Sequence, residues 1–282
     1  MTPSRTLLLA VLAVLLAGCT SSPSSSDKSS SSASSSRSSA AASSSAAPAV
    51  PAAPKRAACY RLTPAQLAEP TNDSDPVSCA ARHNARTIFV GRLHTVVDGH
   101  SVAVDSARVQ RQLSTTCPRK LAAYVGGSPA TRDLSRLNVV WYSPSLEQSD
   151  AGADWFRCDV VAFGRGQQLA SLPGGRALRG VLSRPGALDT YGLCGTAAPG
   201  ARGFERVICR KPHSWRAFAT IGLPGGRAYP GSAAVRQAGN DDCRGRARAR
   251  ASDSLQFRYG WEWPTREQWL GGQHYGYCWV PA

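Results

Sequence analysis

Apolar positions fall into three regimes along the chain. Positions 7–16 are unbroken apolar residues, positions 20–54 hold Val50 as their only large apolar residue, and from there onward short apolar runs alternate with turns. In this last regime the segments 87–93, 137–142, 156–163, 215–221, 255–261 and 275–280 are rich in β-branched or aromatic residues and bounded by Gly or Pro, which predicts strands. Segments 117–124 and 241–251 have helical composition. Ser145-Leu-Glu-Gln148 and Thr265-Arg-Glu-Gln268 each match the capping box, so a short helix is expected after Pro144 and after Pro264.

The N-terminal pattern reads as an address. One positive charge at Arg5, the apolar stretch and the small residues Ala17 and Gly18 have the layout of a secretory signal peptide, too short to span a bilayer as a stable helix. Leu16-Ala17-Gly18-Cys19 resembles a bacterial lipobox, which implies cleavage before Cys19 and a diacylglyceryl anchor, with palmitate-type chains, on its thiol. Residues 1–18 are then a signal peptide. Residues 19–54 form a lipidated, Ser/Ala/Pro-rich linker with 17 Ser between Ser21 and Ser45, too polar to offset the entropy of ordering. A coil of that length spans on the order of 30 Å, enough to hold a folded body off a membrane surface. The expected location is the extracytoplasmic face of the cell membrane.

Apart from Cys19, eight cysteines lie in the remaining body, at Cys59, Cys79, Cys117, Cys158, Cys194, Cys209, Cys243 and Cys278. An even number in an exported chain reads as a disulfide framework, for which eight cysteines allow 105 pairings. Internal repetition narrows the choice. Trp141, Pro144, Glu147, Gln148 and Cys158 recur at the same offsets as Trp261, Pro264, Glu267, Gln268 and Cys278, and each half carries a Cys-x3-His. Two related modules, 55–175 and 176–282, should pair equivalent cysteines equivalently, and among the pairings this allows the expected set is Cys59–Cys79, Cys117–Cys158, Cys194–Cys209 and Cys243–Cys278. The expected fold class is α+β: two tandem homologous disulfide-bonded modules, each a small antiparallel sheet with one or two helices.

The repeated residues carry a family resemblance. An anchor and low-complexity spacer precede Cys-x3-His, a strand, a later Cys opening a helix, Trp-x2-Pro and a closing aromatic-x-Cys strand. This order, with Val77-Ser-Cys79-Ala-Ala-Arg82-His83 and Val207-Ile-Cys209-Arg-Lys-Pro212-His213 as its most diagnostic pieces, resembles the septum formation family of bacterial envelope proteins. The first copy departs from the family's Cys-x-x-Pro-His in having Arg82 in place of Pro. The resemblance implies a role in cell division and no catalytic residue.

Candidate chemistry is sparse. The Cys-x3-His pairs have zinc half-site spacing, but in an oxidising compartment disulfides are expected, leaving no metal and no cofactor. His83 and His213 are then expected to bond a backbone carbonyl across the turn, and they stay candidates for ligand or partner contact. Paired thiols leave no nucleophile, and no Gly-x-Ser-x-Gly or Ser-x-x-Lys pattern appears with its companions. Asp154, Glu147, Glu262 and Glu267 are the carboxylates available for glycoside chemistry.

The chain has 33 Lys and Arg against 18 Asp and Glu, a formal charge of +15. Arg244, Arg246, Arg248 and Arg250 alternate through one segment and would share a face only on a strand. Outside the cytoplasm the polyanions in reach are lipid head groups and anionic wall polymers, not nucleic acid. Trp261, Trp263, Trp269, Tyr275, Tyr277 and Trp279 are expected to fill a small core rather than present a stacking platform. The sequence therefore reads as a non-enzymatic envelope lipoprotein, an adaptor or sensor linked to septum formation with envelope or division proteins as partners. The alternative is a wall-hydrolysing, glycan-binding or polyanion-binding lipoprotein.

Overall fold

A computed structural model describes residues 50–282, which fall within one compact unit. The signal peptide, Cys19 and all but the last few residues of the linker lie outside the described residues.

In the first module β1 (Cys59–Tyr60), β2 (Ala85–Arg92), β5 (Leu137–Tyr142) and β6 (Trp155–Ala162) form an antiparallel sheet in the order β1-β2-β6-β5, and β3 (Val96–Val97) with β4 (His100–Ser101) makes a separate hairpin. Helix α1 (Ala107–Val125) crosses one face of the sheet, burying Val109, Leu113, Cys117 and Val125 along one side. Two short helices follow, α2 (Pro129–Asp133) and α3 (Leu146–Asp150). The second module has α4 (Ala187–Tyr191), β7 (Leu193–Gly195), β8 (Arg206–Ile208), β9 (Trp215–Gly222), α5 (Ser232–Arg250), β10 (Gly260–Glu262), α6 (Arg266–Leu270) and β11 (Tyr275–Pro281), with sheet order β10-β11-β9-β7-β8. Strand for strand, β7-β9-β11-β10 repeats β1-β2-β6-β5. Even the irregularities repeat: the register slips by one residue at Ile88 opposite β6 and at Phe218 opposite β11.

The disulfides are Cys59–Cys79, Cys117–Cys158, Cys194–Cys209 and Cys243–Cys278. In each module one ties the long helix to the central strand and the other ties the first strand to the Cys-x3-His turn. Closing loops of this length contributes roughly 3 kcal/mol each in the chain-entropy account. Both capping boxes form, with Ser145 and Thr265 accepting from the N3 amides and Gln148 and Gln268 reaching back.

Three expected boundaries differ from the structure. Helix α1 begins ten residues before Cys117, capped by Ser106, and runs through Pro118, whose missing N–H removes one internal bond that the packed inner face tolerates. Helix α5 begins at Ser232 and runs through Gly239 and the two aspartates. Most of 255–261 is not a strand, because Asp253 accepts from the amides of Leu255 and Gln256 and turns the chain, leaving Leu255 exposed.

Equivalent positions exchange volume between the modules. Trp261 is buried against Gly239 of α5 and Gly276 of β11, where an added Cβ would overlap its indole ring. Counted from the paired cysteines, the first module has Leu113 and Phe156 at those places, and its Trp141 is only half-buried. Trp269, Tyr277 and Trp279 are likewise buried, so these aromatics of the last segment are core.

Strand β6 is buried along its whole length because both faces of its sheet are covered. On the face opposite α1, Arg157 and Asp159 are 2% and 0% exposed and their charges face each other at 3.0 Å without hydrogen-bond alignment. Thr87 Oγ1 donates to Asp159 at 2.8 Å, Arg157 donates to Asn72 at 2.7 Å, and the guanidinium lies 4.0 Å from the Tyr60 ring centre. The second module has Tyr277 and Trp279 at the equivalent places.

The two modules share a core. Val125, Leu137, Val160 and Ala162 of the first sheet and helix, Leu172, Leu178 and Leu182 of the connecting strap, and Tyr191 and Ile208 of the second module form one apolar cluster. Backbone bonds sew the join: Leu193 donates to Leu134, Arg136 to Tyr191, Gly166 to Arg206 and Ile208 to Gly164, at 2.7–2.9 Å.

Gly239→Ala should lower the denaturant midpoint despite alanine's better helix propensity, by roughly 1–3 kcal/mol of overpacking against Trp261. Gly245→Ala on the same helix, where an added Cβ meets nothing, should raise it by up to about 1 kcal/mol. Unfolding curves under non-reducing conditions that shift in the same direction would contradict this packing. Burial pushes the Asp159 carboxyl up to about 6, against the lowering by Arg157 and Thr87. The folded protein then holds that proton more tightly than the unfolded chain, so the group's contribution is fullest below about pH 4 and is lost as pH rises through about 6. Asp159→Asn should shrink the stability difference between about pH 4.5 and pH 7.5 by on the order of 2 kcal/mol. Urea midpoints at the two pH values test it, and an unchanged difference contradicts it.

Candidate functional site

The two Cys-x3-His turns are built alike. The amides of Ala81 and Lys211 donate to the carbonyls of Ser78 and Ile208, at 2.9 and 2.8 Å, and the Nδ1 atoms of His83 and His213 sit 2.8 Å from the carbonyls of Ala81 and Lys211. Arg82 thus occupies the family's Pro position without changing the turn. Both histidines bond a carbonyl across the turn. His83 is 2% exposed, beneath the Leu172 amide that donates to its carbonyl, so its ring presents no surface to a partner; His213 is half-buried.

The shared core brings the two turns to one cleft. Its walls are Arg82 from the first turn, Arg210, Lys211 and Pro212 from the second, and Gly164 to Arg165 and Gln168 to Ser171 of the strap, enclosing about 550 Å³. Arg82 donates to the Ser171 hydroxyl at 3.0 Å and Arg210 to the Ser171 carbonyl at 2.8 Å, so one strap residue orients cations from both modules. Arg165 is paired with Glu205; Arg82, Arg210 and Lys211 form no ion pair among the described residues. No carboxylate lines the cleft. Three exposed, unneutralised cations around a recess of that size can hold an anionic group, with the guanidinium planes suited to carboxylate or phosphate oxygens.

A second recess between the modules, of about 410 Å³, has its charges already engaged. Arg206 pairs with Glu262 at 2.9 Å, and Trp279 donates to the other oxygen of that carboxylate at 3.1 Å. Arg136 donates to the carbonyls of Phe163 and Gly166 at 3.1 and 2.5 Å; burial, and then the neighbouring Arg206, hold it down to about 10. Burial also raises the carboxyl of Asp133, which faces Tyr275. This network locks the interface.

The arginines of the alternating segment are on α5 and do not share a face. Arg246 reaches back to Asp242 at 3.4 Å, Arg248 lies over Phe257, and Arg250 lies over Phe218 beside a recess at the helix end. Of the candidate carboxylates, Asp154 pairs with Arg92 and Glu262 with Arg206, while Glu147 and Glu267 occupy the first turns of α3 and α6. All eight cysteines of the described residues are in disulfides, and no group of three or more metal-ligating side chains occurs among those residues.

Sequence reasoning missed the cleft because Arg82, Arg210 and Lys211 meet only through tertiary packing. The signal available was the pair of unlike residues, Arg82 and Arg210-Lys211, inside otherwise parallel motifs.

No curated protein and no solved structure matches the chain. The family model described as Septum formation matches twice, over residues 26–143 and over 128–278, as a duplicated domain would. Together the two matches span most of the chain and take in both Cys-x3-His turns and both capping-box helices. The chain belongs to the septum formation family, with a septum-related extracellular role.

Proposed function

We propose that the protein is a membrane-anchored extracytoplasmic lipoprotein that works as a non-enzymatic adaptor or sensor in septum formation, binding an anionic group of an envelope or division partner in the cleft between its modules. The observation that carries this reading is the convergence of both copies of the family's Cys-x3-His turn on a single recess with three unneutralised cations. A duplicated motif directed at one place, on a body braced by four disulfides, suits a rigid binding surface better than a moving catalytic one. The lipobox-like Leu16-Ala-Gly-Cys19 supplies the anchor in this reading, and the Ser-rich segment supplies reach.

Time-lapse imaging of an export-competent fluorescent fusion tests it. Enrichment at midcell before constriction is expected, with Cys19→Ala released from the membrane fraction. Arg82→Gln with Arg210→Gln should stay anchored and folded yet lose the midcell enrichment. Uniform peripheral signal from the wild-type fusion, or midcell enrichment unchanged in the cleft variant, would overturn the reading. Incubation of the purified protein with isolated cell wall should release no wall fragments; release of muropeptides would make it a hydrolase.

A further inference from the structure

The three arginines of α1, unlike the alternating arginines of α5, share one face. Arg108, Arg111 and Arg119, at spacings of three and eight, lie on one side of the helix with Gln112 and Thr115 between them, while Lys120 is turned further round toward the sheet. From Arg108 to Arg119 the row runs about 16 Å at ~1.5 Å per residue. No acidic residue occurs anywhere in α1, whereas α5 carries Asp241 and Asp242. All four cations are exposed, and none forms an ion pair among the described residues.

This face forms one wall of a groove. The opposite wall is the end of β2 with the β3–β4 hairpin, which adds Arg92, His94, Val96 and Val97. Two recesses of about 430 and 690 Å³ adjoin along this groove, with His94, Gln112, Thr116 and Arg119 in the lining of both. The walls are tied to each other where the two recesses meet: Gln112 donates to the Arg92 carbonyl at 2.8 Å and accepts from the His94 amide at 2.9 Å. The floor is aromatic, with Phe89 and Phe156 at 5.8 Å and Lys120 4.2 Å above the Phe89 ring. Gly91 lets both rings pack directly against the β2 backbone, where a Cβ would overlap them. Of the basic residues lining the trough, only Arg92 is paired, with Asp154 at 2.7 Å.

We propose that this trough binds a linear polymer bearing repeated phosphate groups, its anionic groups meeting the α1 cations in turn. A row of cations beside a walled trough matches a chain laid lengthwise, whereas a bilayer surface would leave the recessed floor and the far wall unused. The trough shares no residue with the inter-module cleft, so it stands whether or not that cleft is the partner site.

Linear inorganic polyphosphate is the probe, titrated into the full chain in a non-ionic detergent, with orthophosphate and phosphatidylglycerol vesicles as separate arms. Polyphosphate should bind, weaken steeply with salt, and be displaced poorly by millimolar orthophosphate. Arg111→Gln with Arg119→Gln should weaken it about tenfold at roughly 0.1 M salt and flatten the salt dependence by about the two contacts removed. Arg244→Gln with Arg248→Gln, an equal charge loss on α5, should change it less than twofold, and Arg82→Gln with Arg210→Gln should leave it intact. Thermal midpoints of all variants report folding, and Lys120→Gln replaces the pair should it unfold. Equal losses from the α1 and α5 pairs would reduce the effect to net charge and overturn the proposal. So would absence of polyphosphate binding, or vesicle binding that depends on α1 and is not competed by polyphosphate.

Discussion

The strap between the modules is the constraint on which the arrangement depends. Residues 163–182 leave the first sheet through Phe163, cross between the two modules with Ala170, Leu172 and Leu178 pointing into the shared core, and meet the edge of the second sheet where Ile208 donates to Gly164. With Ala170, Leu172, Leu178, Val181 and Leu182 buried in that core, the strap cannot shift without opening it. Burying three such side chains contributes roughly 5 kcal/mol from apolar area alone. Because Ser171 sits in the strap, the fixed core also fixes the two guanidinium groups that reach for it. The cleft is thus a by-product of fusing two copies, and neither copy alone could form it.

Fusion also explains why the copies differ. In the first module the face opposite α1 is covered by the 61–76 segment, whose Asn72 reaches Arg157, and the strand below it carries a buried ion pair. In the second module the corresponding loop is shorter, and Leu134 of the first module helps to cover Leu193, Tyr277 and Trp279. Aromatic bulk fills what the missing cover would have filled. On the helix side the exchange runs between Leu113 with Phe156 and Gly239 with Gly276, around a tryptophan kept in both. Each change has its compensation nearby, as close packing requires.

Much of this was legible in the sequence where local chemistry decides. The capping boxes at Ser145 and Thr265, the long strands and the equivalence of the cysteines all rest on spacing within a few tens of residues. What stayed hidden depends on distant partners. Strands β1, β7 and β8 are two or three residues long and exist because disulfides and neighbouring edges hold them. The start of α1 was obscured by Pro118, which reads as a first-turn residue until the inner face of the helix is seen to be packed on both sides of it. The alternating arginines near Cys243 drew attention by their pattern, yet helical geometry disperses them. The arginines of α1 carried the stronger signal, helical spacing without any acid, in a segment whose first half did not read as helix. The buried pair was visible as Arg157 and Asp159 flanking Cys158 in an apolar strand, but that pattern is silent on the Thr87 and Asn72 that complete it.

The claim that both modules form one cooperative body around the strap is tested most directly by native-state hydrogen exchange resolved by residue. The amides of Gly166, Leu193 and Ile208, which cross the join, should exchange only through global unfolding, with the same opening free energy as Val160 in one sheet and Tyr277 in the other. Exchange of the joining amides through a smaller, separate opening, while Val160 and Tyr277 remain protected, would show two bodies that merely touch. The shared-core account, and with it the fixed cleft, would then be wrong.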